Sequence, residues 1–483
     1  MTTAQLIVRG ILRSPHVWQQ QRTQIIGPLF LALAAVIAVG VPSAGQAPLT
    51  ARPLTLRQVF DSVASHHPLV QAAQARVRAA RASSVTAGLL GNPVFTYEVD
   101  NAQLPGGPPP DMEREVMITG TLPLEALYQR APRKRRANSE LRAAENEVVV
   151  TRQRVALDAA RAFHQAAIAQ VGVEAAHDLA SWLDTVVVYN RNRVREGVTA
   201  EADLIRSELE RDRAAAEATM QEADAIRSRA TLAAYLGDSP VALSNVVVAI
   251  EDEPLTFASE SIAPTVLVAA EARSATRNES TDAQDSITAA IVNRALTSRP
   301  EMRAARERVA GAGAGIATEH AMLIRQLGLT LGTKQSGGTT SLVAGLSLPF
   351  PILDQNRGEI ARATAERDAA QFELAAQERT VRAEVSGAYY AARILTDRAK
   401  ALAQRSNGYL ARADEARRIA LGAYREGAVP LIQVLDAARA WGDARLAFYR
   451  ILYAQHQSVL ELLVAQGDDL LAMPAIRDPK PRE

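Results

Sequence analysis

The chain repeats itself. HHPLVQAAQARVRAARA from His66 resembles SRPEMRAARERVAGAGA from Ser298 at a spacing of 232, and TLPLE at Thr121 resembles SLPFP at Ser347 at a spacing of 226. VREGV at Val194 returns as YREGA at Tyr424, and AAYLG ending at Gly237 returns as LVAQG ending at Gly467, both at 230. Four landmarks in one order at a near-constant offset make the chain two copies of one unit of roughly 180 residues. Pro240, Pro254, Pro264 and the run RSATRNESTDAQD mark the join as a linker. The expected division is a leader over 1–45, a first repeat over 46–237, a linker over 238–285, a second repeat over 286–467 and a tail over 468–483.

Within each copy the hydrophobic period changes twice. Helical sequence comes first: Thr55 and Gln58 form a capping box, and Pro68 starts a second helix. The period then becomes two. Phe95, Tyr97 and Val99 alternate with Thr96, Glu98 and Asp100, and Val116, Ile118 and Leu122 share one face of the next segment. In the second copy Leu327, Leu329 and Leu331 alternate, as do Leu342, Ala344, Leu346 and Leu348. These patterns predict strands over about 92–100, 115–124, 327–335 and 341–350, joined by PGGPPPD in one hairpin and by a turn over Gln335 to Thr340 in the other.

After each hairpin the helical period returns for about 70 residues, predicting helical hairpins over about 126–237 and 356–467. Leu141, Val148, Val155, Ala162, Ala169, Ala176 and Leu183 recur every seventh residue, as do Leu374, Val381, Ala388, Leu395, Leu402, Tyr409, Ala416 and Ala423. Sustained heptads specify left-handed coiled coils, here rods of roughly 100 Å. Each rod ends at a glycine turn, Gly197 or Gly427, and the returning helices carry stripes at Leu209, Ala216, Ala223 and Ala230 and at Val434, Trp441 and Phe448.

Composition agrees with thin helical contacts. Of 483 residues, 92 are alanine and only 4% are aromatic, too little bulk for several thick cores. The zero cysteine count excludes disulfides, thiolate metal sites and cysteine nucleophiles. A net charge of +1 argues against non-specific nucleic-acid binding. QRAPRKRR at Gln129 to Arg136 therefore reads as a solvated helix start, and adjacent His66 and His67 before a proline read as a helix end instead of a metal site. GAGAG at Gly311 lacks the spacing of a dinucleotide loop, and no HExxH, GxSxG or P-loop is present, so the chain reads as no enzyme and as needing no cofactor.

Met1 to Gln24 carries Arg9, Arg13 and Arg22 without an acid, an uncharged run follows from Ile25 to Val41, and small residues follow that. This order is that of a secretory signal peptide cleaved near Gly45 or Ala47. An exported chain with strands of nine or ten residues has the length for a tilted bilayer crossing. Four strands cannot close a transmembrane barrel, and an open edge in lipid leaves backbone groups unpaired, so strands that cross must be completed by other copies.

The repeat with its hairpins, the junctions LPLE and LPFPILDQNRGEIARA, and above all YREGAVPLIQVLDAARAW from Tyr424, resemble the TolC-like outer membrane efflux proteins, the outer membrane factors, over Leu54 to Gly467. AGLLGNPVFTYEVDN with PLEALYQRAPRKRRA resembles their CzcC-like heavy-metal branch. The resemblance implies a mainly α fold with a membrane β-barrel portion. In that fold a homotrimer supplies twelve strands to one barrel in the outer membrane of a Gram-negative bacterium and twelve helical strands to a periplasmic tunnel. The implied function is a passive duct for a tripartite efflux system, with a periplasmic adaptor and an inner-membrane RND-type pump as partners. Heavy-metal cations are the implied cargo, with drugs or small organic compounds as the alternative. A periplasmic coiled-coil adaptor or scaffold is the competing reading from a different class, and it leaves the hairpins without a purpose.

The resemblance also assigns residues. Arg195, Glu196 and Gly197, with their repeats Arg425, Glu426 and Gly427, become the tips that meet the adaptor. Asp436 matches the acid of the gate motif, Tyr424 the aromatic before the tip glycine, and Asp203 its hydrogen-bond partner. Gln433 stands where the family has a second acid and Val429 where it has a basic residue, which implies one carboxylate ring instead of two.

Overall fold

The computed structural model describes residues 53–102, 113–237, 247–255, 280–325, 327–403 and 408–472. The expected leader, most of the linker, the PGGPPPD loop and most of the tail lie outside the described residues. The elements in chain order are α1 (Leu56–His66), α2 (Pro68–Ala87), β1 (Val94–Asp100), β2 (Glu115–Pro123), α3 (Ala126–Arg195), α4 (Glu201–Leu236), α5 (Ser280–Ser298), α6 (Pro300–Ala321), β3 (Gly328–Ser336), β4 (Thr339–Ser347), α7 (Arg357–Leu402), α8 (Tyr409–Arg425) and α9 (Leu431–Gln466). Thr55 caps α1 in a complete capping box with Gln58, and His67 ends α1 while its ring accepts from the Leu69 amide of α2.

The strands form one antiparallel sheet in the order β1-β2-β3-β4. Its register decides the faces. Tyr97 stands opposite Ile118, Ile118 opposite Thr333 and Thr333 opposite Leu342; two same-face positions on, Leu122, Leu329 and Leu346 form another row. All four apolar stripes therefore share one face, and Phe95, Tyr97, Leu342 and Leu346 on it are 64% to 80% exposed. The ring of Phe95 lies against Gly120, its register neighbour, filling the space a side chain would take. Thr96, Glu98, Thr119, Thr121, Thr330 and Lys334 alternate onto the other face, which is polar. The turn between β3 and β4 is tighter than the sequence pattern implied: only Gly337 and Gly338 separate the strands, at φ of 55° and 81°. Two consecutive positive φ values suit the right-handed strand twist in a two-residue hairpin, and two glycines adopt them freely.

The helices keep the order of the strands they adjoin. Next to the sheet, α2 packs on α3, α3 on α6 and α6 on α7; farther away, α4 packs on α3, α3 on α9 and α9 on α8. The 70-residue helix α3, about 105 Å long, is thus the second stave in both layers. Val155, Ala162, Ala169, Ala176 and Leu183 of its heptad are all buried. The corresponding second-copy rod is interrupted: α7 ends at Leu402 and α8 begins at Tyr409, seven residues later, so the apolar register carries across the break.

The stripe expected on α4 also differs. Its buried residues are Ser207, Ala214, Ala218, Ala225 and Leu232, whereas Leu209 is 63% exposed. Two residues along a helix is a turn of roughly 200°, so α4 carries two small-residue seams on opposite faces and only one is covered within the chain.

Midway along, α1 and α5 add to the wall, and the segment 247–255 is stitched onto α9. Leu54 pairs with Val248 as a parallel bridge, the Glu251 amide donates to the Tyr453 hydroxyl at 3.1 Å, and Gln455 both donates to and accepts from the Leu255 backbone. His456, 1% exposed, donates from Nε2 to the Glu253 carbonyl at 3.0 Å and sets Nδ1 3.3 Å from the Glu251 carboxyl. Burial lowers His456 to about 4 and raises Glu251 to about 7. Burial, reinforced by His456 beside it, lowers His164 to about 3. Below about pH 7 the His456–Glu251 pair is accordingly a neutral imidazole accepting from a protonated carboxyl, the inexpensive way to bury both.

The sign of the pH dependence follows. Below the ordinary 6.5, the unfolded chain protonates both histidines while the folded one does not, so stability falls as pH drops from 6.5 toward about 4. Glu251 works oppositely: its contribution is present below 4.5 and is lost as pH rises through about 7. Two imidazoles against one carboxyl leave a net loss of about 1.4 kcal/mol per unit on acidification near pH 5.5. The apparent melting temperature of the purified protein is expected to fall between pH 6.5 and 5, and His164→Gln to flatten that slope; equal slopes in both proteins would contradict it.

Candidate functional site

The two helical hairpins end in the same turn. At the first tip the Gly197 amide donates to the Val194 carbonyl at 3.0 Å and the Val198 amide to Arg193 at 2.9 Å; at the second, Gly427 donates to Tyr424 at 3.0 Å and Ala428 to Ala423 at 2.8 Å. Gly197 and Gly427 have φ of 73° and 77°, the left-handed residue that closes a helix by this pair of bonds. Arg195 and Arg425 sit in the last turns, favourable at the negative end of the helix dipole. Arg195, Glu196, Arg425 and Glu426 are all exposed, so both tips present the same arginine, glutamate and glycine surface.

Behind the tips lies a compact aromatic and polar cluster. Tyr424 is 5% exposed and its hydroxyl donates to Oδ1 of Asn190 at 2.7 Å. The expected partner, Asp203, does not receive this bond. It acts at longer range: burial and then the Asp203 carboxylate raise the Tyr424 pKa, which keeps the phenol a neutral donor. Asn190 is fully buried, and its Nδ2 has no partner among the described residues. Tyr189 packs edge-on against Tyr424 at 5.8 Å, donates to the Arg425 carbonyl at 3.3 Å and lies beneath the Arg193 guanidinium at 5.5 Å. A crevice of about 340 Å³ between the tips is lined by Arg193, Asp203, Arg206, Tyr424 and Val429.

Asp436 and Gln433 lie on the first two turns of α9 and both are exposed. Asp436 faces Arg439 at 3.4 Å, and Arg439 also pairs with Glu210 of α4. Its carboxylate therefore carries a cation beside it, which the sequence pattern did not reveal. Farther from the tips, Arg417 of α8 lies 4.0 Å above the Trp441 ring of α9 and 5.7 Å from Trp182 of α3. Arg445 of α9 reaches Asp178 at 2.5 Å and Glu174 at 3.2 Å, both on α3. Cation–aromatic contacts contribute about 0.5–2 kcal/mol, which makes this half-buried cross-tie between three helices at least comparable with the exposed ion pairs around it.

Sequence reasoning missed Asn190, Arg193 and the Trp182–Arg417–Trp441 tie. Asn190 had a signal: it stands seven residues after Leu183, at the next position of the α3 heptad, where an amide is out of place unless bonded.

Comparison with known proteins agrees with this architecture. Residues 291–468 match the sequence profile of the family described as outer membrane efflux protein. No curated protein matches the chain by sequence. Among solved structures, the outer membrane protein VceC from Vibrio cholerae superimposes with a TM-score of 0.65 at 17% identity over 86% of this chain and 96% of that one. The outer-membrane channel OprN gives 0.66 at 20% identity over 85% and 89%. CusC, described as forming a transmembrane channel, gives 0.65 at 14% identity over 86% and 92%. The fold is that of the outer-membrane channels. By sequence the second repeat matches the outer membrane efflux protein family, and by fold both repeats are similar to these channels.

The bond between Tyr424 and Asn190 yields a direct test. Tyr424→Phe leaves the buried amide unpaired and is expected to cost about 1–3 kcal/mol. Asn190→Ala should cost a similar amount, and the double variant no more than about the larger single loss, because the two residues share one interaction. Thermal denaturation of the four proteins checks the cycle; fully additive losses would exclude the coupling.

Proposed function

We propose that three copies of this chain close a twelve-stranded barrel in the outer membrane and a helical tunnel beneath it, forming the passive duct of a tripartite efflux system. The observation that carries this reading is the four-stranded sheet with an apolar stripe from every strand on one face and two open edges among the described residues. Such a sheet is stable in lipid only when its edges are paired. The uncovered seam of α4 supports the same closure in the helical layer. No chemistry is required of the chain, since the work of transport belongs to a pump.

In this reading Arg195, Glu196, Gly197, Arg425, Glu426 and Gly427 dock the periplasmic adaptor, which couples the duct to an inner-membrane RND-type pump. Tyr424, Asp203, Asp436 and Gln433 govern the periplasmic entrance. Tyr424, held by Asn190, ties the end of α8 to the end of α3. The cargo is heavy-metal cations. The CzcC-like first hairpin supports this, and so does the polar face of the sheet, where Glu98, Asp100 and Glu115 outnumber Lys334. A lumen with that balance favours cations over anions.

Three measurements test the proposal. The detergent-extracted protein should have the mass of a trimer and come from the outer-membrane fraction; a soluble monomer in the periplasm would sink the duct and favour the scaffold reading. Deletion should sensitise cells to zinc, cobalt, cadmium or copper, whereas sensitisation to hydrophobic drugs alone would move the cargo to organic compounds. In planar bilayers, Tyr424→Phe and Asp436→Ala should raise conductance or shift cation selectivity, and unchanged traces would remove both from the gate.

A further inference from the structure

The basic run Gln129 to Arg136 near the start of α3 has no part in the duct described above. Five of its eight residues are basic, in a chain whose net charge is +1, and no acidic residue occurs between Glu125 and Glu140. The internal repeat supplies a comparison. At the spacing of 226 that relates TLPLE to SLPFP, the image of this run is Gln355 to Arg362, with two basic residues and one acidic. The ion pair of Arg136 with Glu140, at 3.0 Å, returns there as Arg362 with Glu366, so that pair belongs to the shared scaffold. Arg133, Lys134 and Arg135 return as Glu359, Ile360 and Ala361. A helix in this position therefore does not need the three cations.

They also stand where cations are unfavourable, close to the positive end of the helix dipole. The first turn of α3 holds no acid to offset them, whereas that of α7 holds Glu359. Lys134 and Arg135 are exposed, and Arg133 buries its Nε without a hydrogen-bond partner among the described residues. The acids on neighbouring elements are absent or committed. The helix α2 has none. On α6, Glu307 pairs with Arg142 at 2.9 Å and Glu319 lies 3.8 Å from Arg362. On α7, at the other edge of the chain, Glu359 pairs with Arg362 and Asp368 with Arg367, both at 2.6 Å. A second copy would bring only the same committed acids.

We propose that Arg133, Lys134 and Arg135 hold the headgroup phosphates of anionic phospholipids at the periplasmic surface of the membrane, an inference resting on the outer-membrane reading above. The apolar half of such a site is present. Leu127, Leu89 and Leu90 are 72%, 58% and 60% exposed. Leu127 shares one face of α3 with Arg130 and Lys134, three and seven residues on. Arg130 donates from Nε to the Gly88 carbonyl at 2.6 Å, and the Lys134 stem lies 3.9 Å from where a Gly88 side chain would begin. Both contacts hold the end of α2, with Leu89 and Leu90, beside the cations.

The order along the chain is that of a membrane boundary: apolar strand, exposed leucines, then cations about 9–12 Å beyond Leu127. A headgroup layer is about 5–8 Å deep, within reach of basic side chains that lay their stems on apolar surface. The three cations fan over about 200° of the helix, which suits a layer of phosphates and not one small anion. Basic residues beside exposed apolar ones are the pattern by which a helix binds an anionic lipid surface.

The test counts bound lipid. Detergent-extracted protein is equilibrated with equal amounts of phosphatidylglycerol and phosphatidylcholine, and the lipid retained on each complex is read by native mass spectrometry. The wild type should prefer phosphatidylglycerol at least about tenfold, and the triple variant Arg133→Gln, Lys134→Gln, Arg135→Gln should lose most of that preference. The variant Arg76→Gln with Arg78→Gln, which removes charge from α2 farther from the boundary, should keep it. Equal retention of the two lipids by the wild type, or a preference that survives the triple variant, overturns the proposal. Inorganic phosphate that displaces the lipid would give the site to a small anion, and a triple variant that loses the mass of the trimer would give it to a contact between copies; either excludes the lipid. A trimer from the outer membrane without lipid preference overturns only this inference, whereas a soluble periplasmic monomer overturns the outer-membrane reading with it.

Discussion

Everything in this structure follows from backbone hydrogen bonding at the two edges of a four-stranded sheet. One face of the sheet carries an apolar stripe from every strand, and in the proposed assembly that face meets lipid, where no water pairs an exposed edge. Among the described residues the chain supplies four strands, too few to curl round and pair β4 with β1 of the same copy. The helices inherit the problem. They stand in the same order as the strands they continue, with α2 and α4 at one side and α7 and α8 at the other. In the proposed assembly a single chain is a segment of wall, and its second seam on α4 is the helical counterpart of an unpaired strand.

Small residues make the wall thin enough to work. Ala156, Ala159, Ala160, Ala166 and Ala167 of α3 are all at most 1% exposed, in a region where α1 and α9 gather around one helix. Larger side chains there would push the staves apart, and overpacking a core costs about 1–3 kcal/mol. Bulk is concentrated at two levels instead. At mid-height Phe163, Tyr449 and Tyr453 hold the segment 247–255, and near the tips Trp182, Trp441, Tyr189 and Tyr424 hold the ends of α3, α8 and α9 together. Both levels combine aromatic rings with buried polar groups kept neutral or paired, the condition for burying them at all.

The tip site was legible in outline and not in its bonding. The repeat placed both glycines, the capping arginines and Tyr424, because left-handed turns and helix ends leave local marks in sequence. The bond from Tyr424 goes to Asn190 rather than to Asp203 because three helix ends converge there, and which acceptor comes within 2.7 Å depends on how far α3 and α8 rotate against one another. The charge environment of Asp436 was hidden for the same reason. Arg439 lies one helical turn away in sequence, but its commitment to Glu210 of α4 is a fact of packing.

The sequence by itself determined the two-fold repeat, the change from period two to period seven, the turns and the apolar face of each strand. All of these are short-range properties: side-chain alternation, heptad spacing and glycine at positive φ act over a few residues. Only the tertiary structure decided that the four stripes share one face, that α3 is the second stave of both layers, and that the Leu209 stripe of α4 faces away from its own chain. Those depend on register and on which helix neighbours which, set by contacts between residues as far apart as Ile118 and Thr333. A period in sequence says that a face exists, and only packing says what covers it.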